Sequence, residues 1–296
     1  MINFRLNVFS KVAEKLSFTK AGKELFITQP AVTKHITALE QEFNNKLFTR
    51  KGNSIELTEA GKILYKYVKN INKLHNQLNF ELNALNQTHK GKLRIGTSTT
   101  ITQYVLPKLM ANFKSKFNDL TINVISGNTE QIEKALFKNE IDLGIIEGQS
   151  KRSDFNYLEF LKDEIVLVTK SVHKLAKLNK ISLEELKNYP LVLRENGSGT
   201  LEVINYCLMQ KGLNISDFLI ELRFGSTEGI KNYILHSESL AFLSIQSILN
   251  ELNRNELSII HIDDFEIKRS FNFIYPIGQQ NKIVNLFIQF ASHYNF

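Results

Sequence analysis

SFTKAGKELFITQPAVTKHITALEQEF, Ser17 to Phe43, decides the fold of the first part of the chain. Val32, Ile36, Leu39 and Phe43 recur at steps of four, three and four, which draws one narrow apolar stripe along an α-helix. Phe26-Ile27-Thr28 breaks the run, so the stretch reads as two helices. Thr28 can cap the later one by accepting a free first-turn N–H. Pro30 is tolerated there because those N–H groups have no partner within the helix. At ~100° per residue, the face opposite the stripe carries Pro30, Thr33, Lys34, Thr37 and Gln41, with Gln29 at the N-terminal tip. It holds short hydroxyls, one amide, one cation and no carboxylate, and it begins where the helix dipole favours phosphate. A helix of this kind fits a major groove.

The flanking residues extend this module. RLNVFSKVAEKL, residues 5–16, puts Leu6, Phe9, Val12, Ala13 and Leu16 on one face of a first helix, and Ser17 can cap a second through Leu25. LFTRKGNSIEL, residues 47–57, reads as two short strands around Lys51-Gly52-Asn53-Ser54, with Arg50 and Lys51 at the hairpin tip. Thr58 then caps a long helix. Its Leu64, Val68, Ile71, His75, Leu78, Leu82 and Leu85 alternate steps of four and three, with His75 the weak position and Leu74 beside it. Such a seam argues for helix pairing between chains.

Charge separates this module from the rest. The chain has 296 residues, 43% of them hydrophobic, enough for two domains, and a net charge of +7. Residues 1–90 hold 14 Lys and Arg against 7 Asp and Glu, whereas the remainder holds 23 of each. A general abundance of Lys would make both parts basic. A basic module that meets phosphates, joined to a neutral one that does not, is the better account. Cys207 is a lone thiol on the apolar face of a helical stretch and reads as buried and inert. The N-terminus lacks the pattern of a secretory signal, and no apolar run approaches the ~20 residues of a membrane span. The expected location is the cytoplasm, with no membrane partner.

The gapped pattern of Ser17-Phe18-Thr19, Ala21, Leu25, Gln29-Pro30-Ala31-Val32, Ile36, Leu39-Glu40, Leu47-Phe48, Arg50, Leu57-Thr58 and Ala60-Gly61 resembles the winged helix-turn-helix and linker helix of LysR-type transcriptional regulators. Asn44 stands where that family favours Gly, and Asn also enters the left-handed region. Gly22 replaces a usual Ala inside the second helix, at a cost of roughly 1 kcal/mol in helix propensity.

From Gly91 onward strand and helix signals alternate. KLRIGTS, LTINVIS and IDLGIIEG are strand-like around YVLPKLMANFKSKF and EQIEKALFKN; after EIVLVTKS a second set runs through PLVLREN, TLEVINYCLMQK, LIELRFGS, TEGIKNYILHS and LAFLS. These βαβ-type repeats imply an α/β class with two subdomains and mostly parallel sheets. The resemblance implies a likeness to periplasmic solute-binding proteins, with crossings near 162 and 267, so that SFNFIYP and the last helix return to the first subdomain. The ligand cleft would lie between the subdomains. Strand ends carry Ser98-Thr99-Thr100, Asn128-Thr129, Gly148, Ser198-Gly199-Thr200 and Thr227. One such cluster alone is an ordinary cap; several at corresponding strand ends point to an anion cleft. STTI..Y.LP, GNTE.I, IDLG..EG and RE.GSGT resemble the branch that regulates sulfur-assimilation and carbon-fixation operons.

Competing classes fit less well. The seven His residues never fall at helical metal spacing, and Ser198 sits in Gly-Ser-Gly, outside a nucleophile elbow. The Gly-x-Gly-x-x-Gly fingerprint is missing after the strand at residues 92–98. A free solute-binding protein would not need the basic module, and a nucleoid-packaging protein would not need the neutral one. The expectation is therefore a winged helix-turn-helix at 1–58, a dimerisation helix at 59–89 and an effector domain at 91–296, split into 91–161 with 268–296 and 162–267. Its implied partners are an inverted-repeat DNA operator, a small anionic metabolite, further copies of itself as dimer or tetramer, and RNA polymerase, with no cofactor. Gln29, Pro30, Thr33 and Lys34 would read bases, with Thr28, Arg50 and Lys51 on phosphates. Leu64, Val68, Ile71, Leu78, Leu82 and Leu85 would pair the chains.

Overall fold

The computed structural model describes residues 4–51, 54–85, 90–149, 151–178, 180–278, 281–294 and 296, with the side chains of residues 50, 51, 54, 73, 76, 77 and 79–85 outside the description. The chain forms two units, residues 1–87 and 88–296.

In the first unit, α1 (Phe4–Lys15), α2 (Phe18–Glu24) and α3 (Gln29–Glu42) precede the hairpin β1 (Phe48–Lys51) and β2 (Ser54–Leu57) and the long helix α4 (Glu59–Leu85). Phe9, Val12, Ala21, Val32, Ile36, Leu39 and Leu47 make its core. The apolar stripe ends one step early, since Phe43 caps α3 and is 44% exposed. Leu16 likewise falls beyond α1, in the left-handed region at φ 44°, and is exposed. Ser17 caps α2 by accepting from the Lys20 N–H at 3.3 Å, and Thr28 caps α3 by accepting from the Ala31 N–H at 3.4 Å. Gly22 has a packing reason beyond propensity: a Cβ there would lie 2.8 Å from the Ile27 carbonyl oxygen. The missing side chain lets the turn between α2 and α3 fold back onto α2. Asn44 takes φ 49°, the left-handed conformation expected of it. The Gly52-Asn53 turn lies outside the described residues.

The seam of α4 divides between two surroundings. Val68 is fully buried and Leu64 is packed against the core of its own unit. Val68 is corrected from an interchain to an intrachain contact, because the root of α4 closes the three-helix core, while Leu64 is partly buried against that core. Ile71, Leu74 and Leu78 are exposed, and the side chains of Leu82 and Leu85 lie outside the described residues.

The second unit opens with β3 (Gly91–Ser98), α5 (Leu106–Lys116), β4 (Leu120–Gly127), α6 (Thr129–Phe137) and β5 (Leu143–Ile146), whose strands pair in parallel in the order β4-β3-β5. A π-helical turn, Ile101–Val105, leads into α5. Then β6 (Phe155–Lys170) crosses to a second half containing α7 (Lys174–Leu178), β7 (Lys180–Ile181), α8 (Leu183–Leu186), β8 (Leu191–Arg194), α9 (Gly199–Gln210), β9 (Ile220–Phe224), α10 (Thr227–His236), β10 (Leu240–Ser244), α11 (Leu249–Asn253) and β11 (Leu257–Ile262). The return strand β12 (Ile267–Pro276) lies antiparallel along β6, with a register shift between Phe271 and Asn272. The final helix α12 (Lys282–Ser292) packs on the first half, its Phe287 ring 5.0 Å from Phe113.

One sheet path runs β4-β3-β5-β12-β6-β10-β8-β9, so the two parallel halves share the antiparallel pair β6 and β12. The stretch read from the sequence is EIVLVTKS, from Glu164, with FNYLEFLK before it unassigned; pairing with β12 makes both one strand from Phe155. Each half keeps its own core, Leu186, Leu191, Val203, Leu208 and Leu240 in one and Ile132, Leu136, Ile141 and Ile274 in the other. Cys207 is half-buried against the former, and burial pushes its thiol pKa up.

Candidate functional site

The exposed face of α3 holds Gln29, Pro30, Thr33, Lys34, Thr37 and Gln41. It is free of carboxylates because the nearby acid, Glu40, is turned aside: its oxygens accept from Lys46 Nζ at 2.7 Å and from the Leu47 N–H at 2.9 Å. Burial pushes the Glu40 pKa up, but those partners outweigh it and hold the carboxyl below its usual range. On the face itself, the Gln29 amide donates to the Thr33 hydroxyl at 3.0 Å, which donates to the Gln29 carbonyl at 3.2 Å. Two of the predicted base readers therefore hold each other before any partner arrives. Thr28 uses its hydroxyl oxygen for capping. Arg50 and Lys51 lie in β1, but their side chains are outside the description. At the root of α4, the Thr58 hydroxyl accepts from the Gly61 N–H at 3.0 Å and donates to the Lys46 carbonyl at 2.6 Å.

In the second unit, strand ends from both halves meet at Glu147, the residue after β5. Its carboxylate accepts from the hydroxyl of Ser98, at the end of β3, and from that of Thr200, on α9, at 3.3 Å. Its carbonyl accepts from Thr129 at 2.7 Å. A Cβ on Gly199 would fall well inside contact distance of that carbonyl oxygen, so glycine is what lets α9 approach the end of β5. Thr100 reaches Thr227 across the halves at 3.4 Å, and Thr227 accepts from Arg194 Nη1 at 3.4 Å. Asn128 caps α6 and also donates its amide to Glu195 at 3.2 Å. Gly148 makes no side-chain contact of its own but lies beside Thr129, and it borders a cavity of about 740 Å³ that Asp163 and Arg269 also line.

Capping accounts for some of the hydroxyls and not for others. Ser226, outside the predicted set, caps α10. Thr100 makes no capping bond, and Ser198 stands at the N-terminus of α9 without one. The buried Oγ atoms of Thr99 and Ser198 have no hydrogen-bond partner among the described residues. Buried hydroxyls in that condition cost stability unless something else satisfies them.

Sequence reasoning missed the charges that tie these hydroxyls together. Arg269 of β12 donates Nε to Asp163 of β6 at 2.7 Å and Nη1 to Thr200 at 2.8 Å, while its buried Nη2 has no partner among the described residues. Asp163 also accepts from Ser244 at 2.8 Å. Arg194 forks onto Glu195 at 2.8 and 3.0 Å. Burial pushes Glu195 up, yet Arg194 and Asn128 win and its pKa is lowered. Lys231, from α10, is buried between Glu228 at 2.9 Å and Glu251 at 2.7 Å, and Tyr104, in the π-helical turn before α5, donates to Glu228 from the other half. Burial and that carboxylate push the Tyr104 hydroxyl pKa up, so it stays a donor. A signal was present: Ile267, Arg269, Phe271 and Phe273 share the buried face of β12, and a charged residue in such a row demands a partner.

Two family profiles match the chain. The first, "Bacterial regulatory helix-turn-helix protein, lysR family", covers residues 4–62, and the second, "LysR substrate binding domain", covers residues 86–295. The chain is 34% identical over 284 residues to the HTH-type transcriptional regulator CysL of Bacillus subtilis, covering 96% of this chain and 94% of that protein. It is 32% identical over 280 residues to the HTH-type transcriptional activator CmpR of Synechocystis, covering 95% and 91%. Among solved structures, the Synechocystis PCC6803 CcmR regulatory domain in complex with 2-PG superposes with a TM-score of 0.63 at 29% identity, covering 69% of this chain and 96% of that one.

Proposed function

This chain belongs to the LysR family of bacterial transcriptional regulators, and from that premise we propose how its two units act. It is a DNA-binding regulator with an effector-binding domain, not an enzyme. The α3 helix reads an inverted-repeat operator through Gln29, Pro30, Thr33 and Lys34, with Thr28, Arg50 and Lys51 on phosphates. Two copies pair along the part of α4 beyond Val68, where Ile71, Leu74 and Leu78 are exposed, as a dimer or a dimer of dimers. The assembly works in the cytoplasm beside RNA polymerase. No described helix is long and apolar enough to cross a membrane. Working boundaries are 1–58, 59–89 and 91–296, the last divided at 162 and 267.

The effector is a small anion held by the hydroxyls at residues 98–100, 129, 198, 200 and 227, with Asn128, Gly148 and Gly199 shaping the cleft. The carrying observation is that hydroxyls of both halves converge beside Arg194 and Arg269, with Thr100 to Thr227 at 3.4 Å and Arg269 to Thr200 at 2.8 Å. The similar CcmR regulatory domain, solved in complex with 2-PG, supports an anion. The reading requires no resident cofactor.

Calorimetry of the full chain with sulfate, inorganic phosphate and 2-phosphoglycolate tests it. Thr100→Ala and Thr200→Ala should each weaken the best of these by ten- to a hundredfold, the worth of one hydrogen bond to a charged group, ~1.5–3 kcal/mol. Melting temperatures that fall while affinity holds would return these hydroxyls to structural roles.

A further inference from the structure

The charges around the cleft do not suit an added anion as they stand. Among the described residues, Arg194, Lys231 and Arg269 face Glu147, Asp163, Glu195, Glu228 and Glu251. Four of those carboxylates have a cation within 2.9 Å: Asp163 has Arg269, Glu195 has Arg194, and Glu228 and Glu251 share Lys231. Glu147 has only a secondary claim, on Arg269 at 3.6 Å. It is nonetheless 2% exposed, and its oxygens take up Ser98, Thr200 and Arg269, donors that an incoming anion would need. A second anion beside it in a water-poor site would be repelled.

We propose that the Glu147 carboxylate is the cleft's resident counter-anion, and that the acid group of the effector binds by displacing it. The exchange withdraws one negative charge as the effector brings in its own, so the anion does not add to Glu147, and it returns Ser98, Thr200 and Arg269 to one anion. It also explains two groups that Glu147 leaves unsatisfied, Arg269 Nη2 and the Ser198 hydroxyl. A carboxylate offers two oxygens, whereas a tetrahedral oxyanion offers more acceptors and can take up donors Glu147 does not. The Glu147 backbone is pinned by Thr129 and Gly199, so the side chain alone turns, toward the cavity that begins at Gly148, where Lys151, Lys162 and Lys268 stand among the carboxylates of Glu159 and Glu164. Because a tethered competitor must be beaten at high effective concentration, Glu147 sets which anions are admitted.

The inference rests on the anion reading of the cleft, and calorimetry of the full chain with inorganic phosphate, 2-phosphoglycolate and acetate at fixed ionic strength separates the two. Glu147→Gln removes the charge and keeps the shape, and should bind phosphate or 2-phosphoglycolate at least tenfold more tightly than the parent chain. Glu147→Asp withdraws the oxygens but keeps the charge, and should show a smaller gain; it decides the matter if Glu147→Gln does not fold. Equal or weaker binding by the folded variants, in a parent that binds these anions and loses them on Thr200→Ala, overturns the exchange and leaves the cleft standing. Parent chain and variants that all fail to bind any of the three overturn both. Acetate bound by the parent as tightly as phosphate overturns the selection attributed to Glu147.

Discussion

Replacing Arg269 with Met tests the frame on which the cleft is built. Arg269 and Asp163 are 1% and 0% exposed at their side chains and 2.7 Å apart. Removing one member of a buried pair strands the other charge, which costs ~3–5 kcal/mol. Asp163 keeps the Ser244 hydroxyl at 2.8 Å, which offsets part of this and argues for the lower end, about 3 kcal/mol. For a unit of this size 1 kcal/mol moves the melting temperature by ~2–4 °C, so a fall of roughly 6–12 °C is expected. Circular dichroism melts supply the measurement, since the chain has no Trp. Adding Asp163→Leu removes the nearer stranded charge and should restore part of the loss, Glu147 still lacking its Arg269 cation, because apolar replacement of a buried pair is often neutral. Strictly additive losses in the double variant would refute the reasoning.

On the operator, Gln29→Ala and Thr33→Ala should reduce preference for the specific site more than general affinity, whereas Lys34→Ala should weaken both and lower the salt dependence, read by binding titrations at several salt concentrations. Ile71→Glu with Leu78→Glu should give smaller species in sedimentation with the first unit still folded, while Val68→Glu should unfold that unit, since Val68 is buried in its core. For Glu195, whose folded pKa lies below the ordinary 4.5, the stabilisation is complete above pH 4.5 and is lost as pH falls through the depressed value. Glu195→Gln should therefore flatten the acid side of a melting-temperature profile and lower it at neutral pH.

The parts legible in the sequence are those set by near neighbours. The caps at Ser17 and Thr28, the stripe through Leu39 and the left-handed Asn44 each depend on contacts within one or two turns. Strand ends rich in hydroxyls were visible for the same reason. Arg269 with Asp163 was not, because their meeting requires β6 and β12 to pair across 106 residues. The seam of α4 shows the other kind of failure: a repeat of four and three says which side is apolar, but not whether the neighbour is a second chain or the same one. Val68 took the latter. Nor does helix propensity reveal that Gly22 is held by the Ile27 carbonyl.

The shared pair β6 and β12 limits how the halves of the second unit can move. Because both strands run through both halves and pair along their length, a wide hinge-like opening would sever ladder bonds, whereas torsion about the ribbon keeps them. A shift of register such as that at Phe271 and Asn272 raises local twist and eases bending in a β-ribbon. Any motion of the halves would then be torsional, with its soft point two residues from Arg269. A ligand that retunes the contacts of Arg269 would then write its presence as an angle, and the stiffness of two strands, more than the size of the ligand, would set how large that angle is.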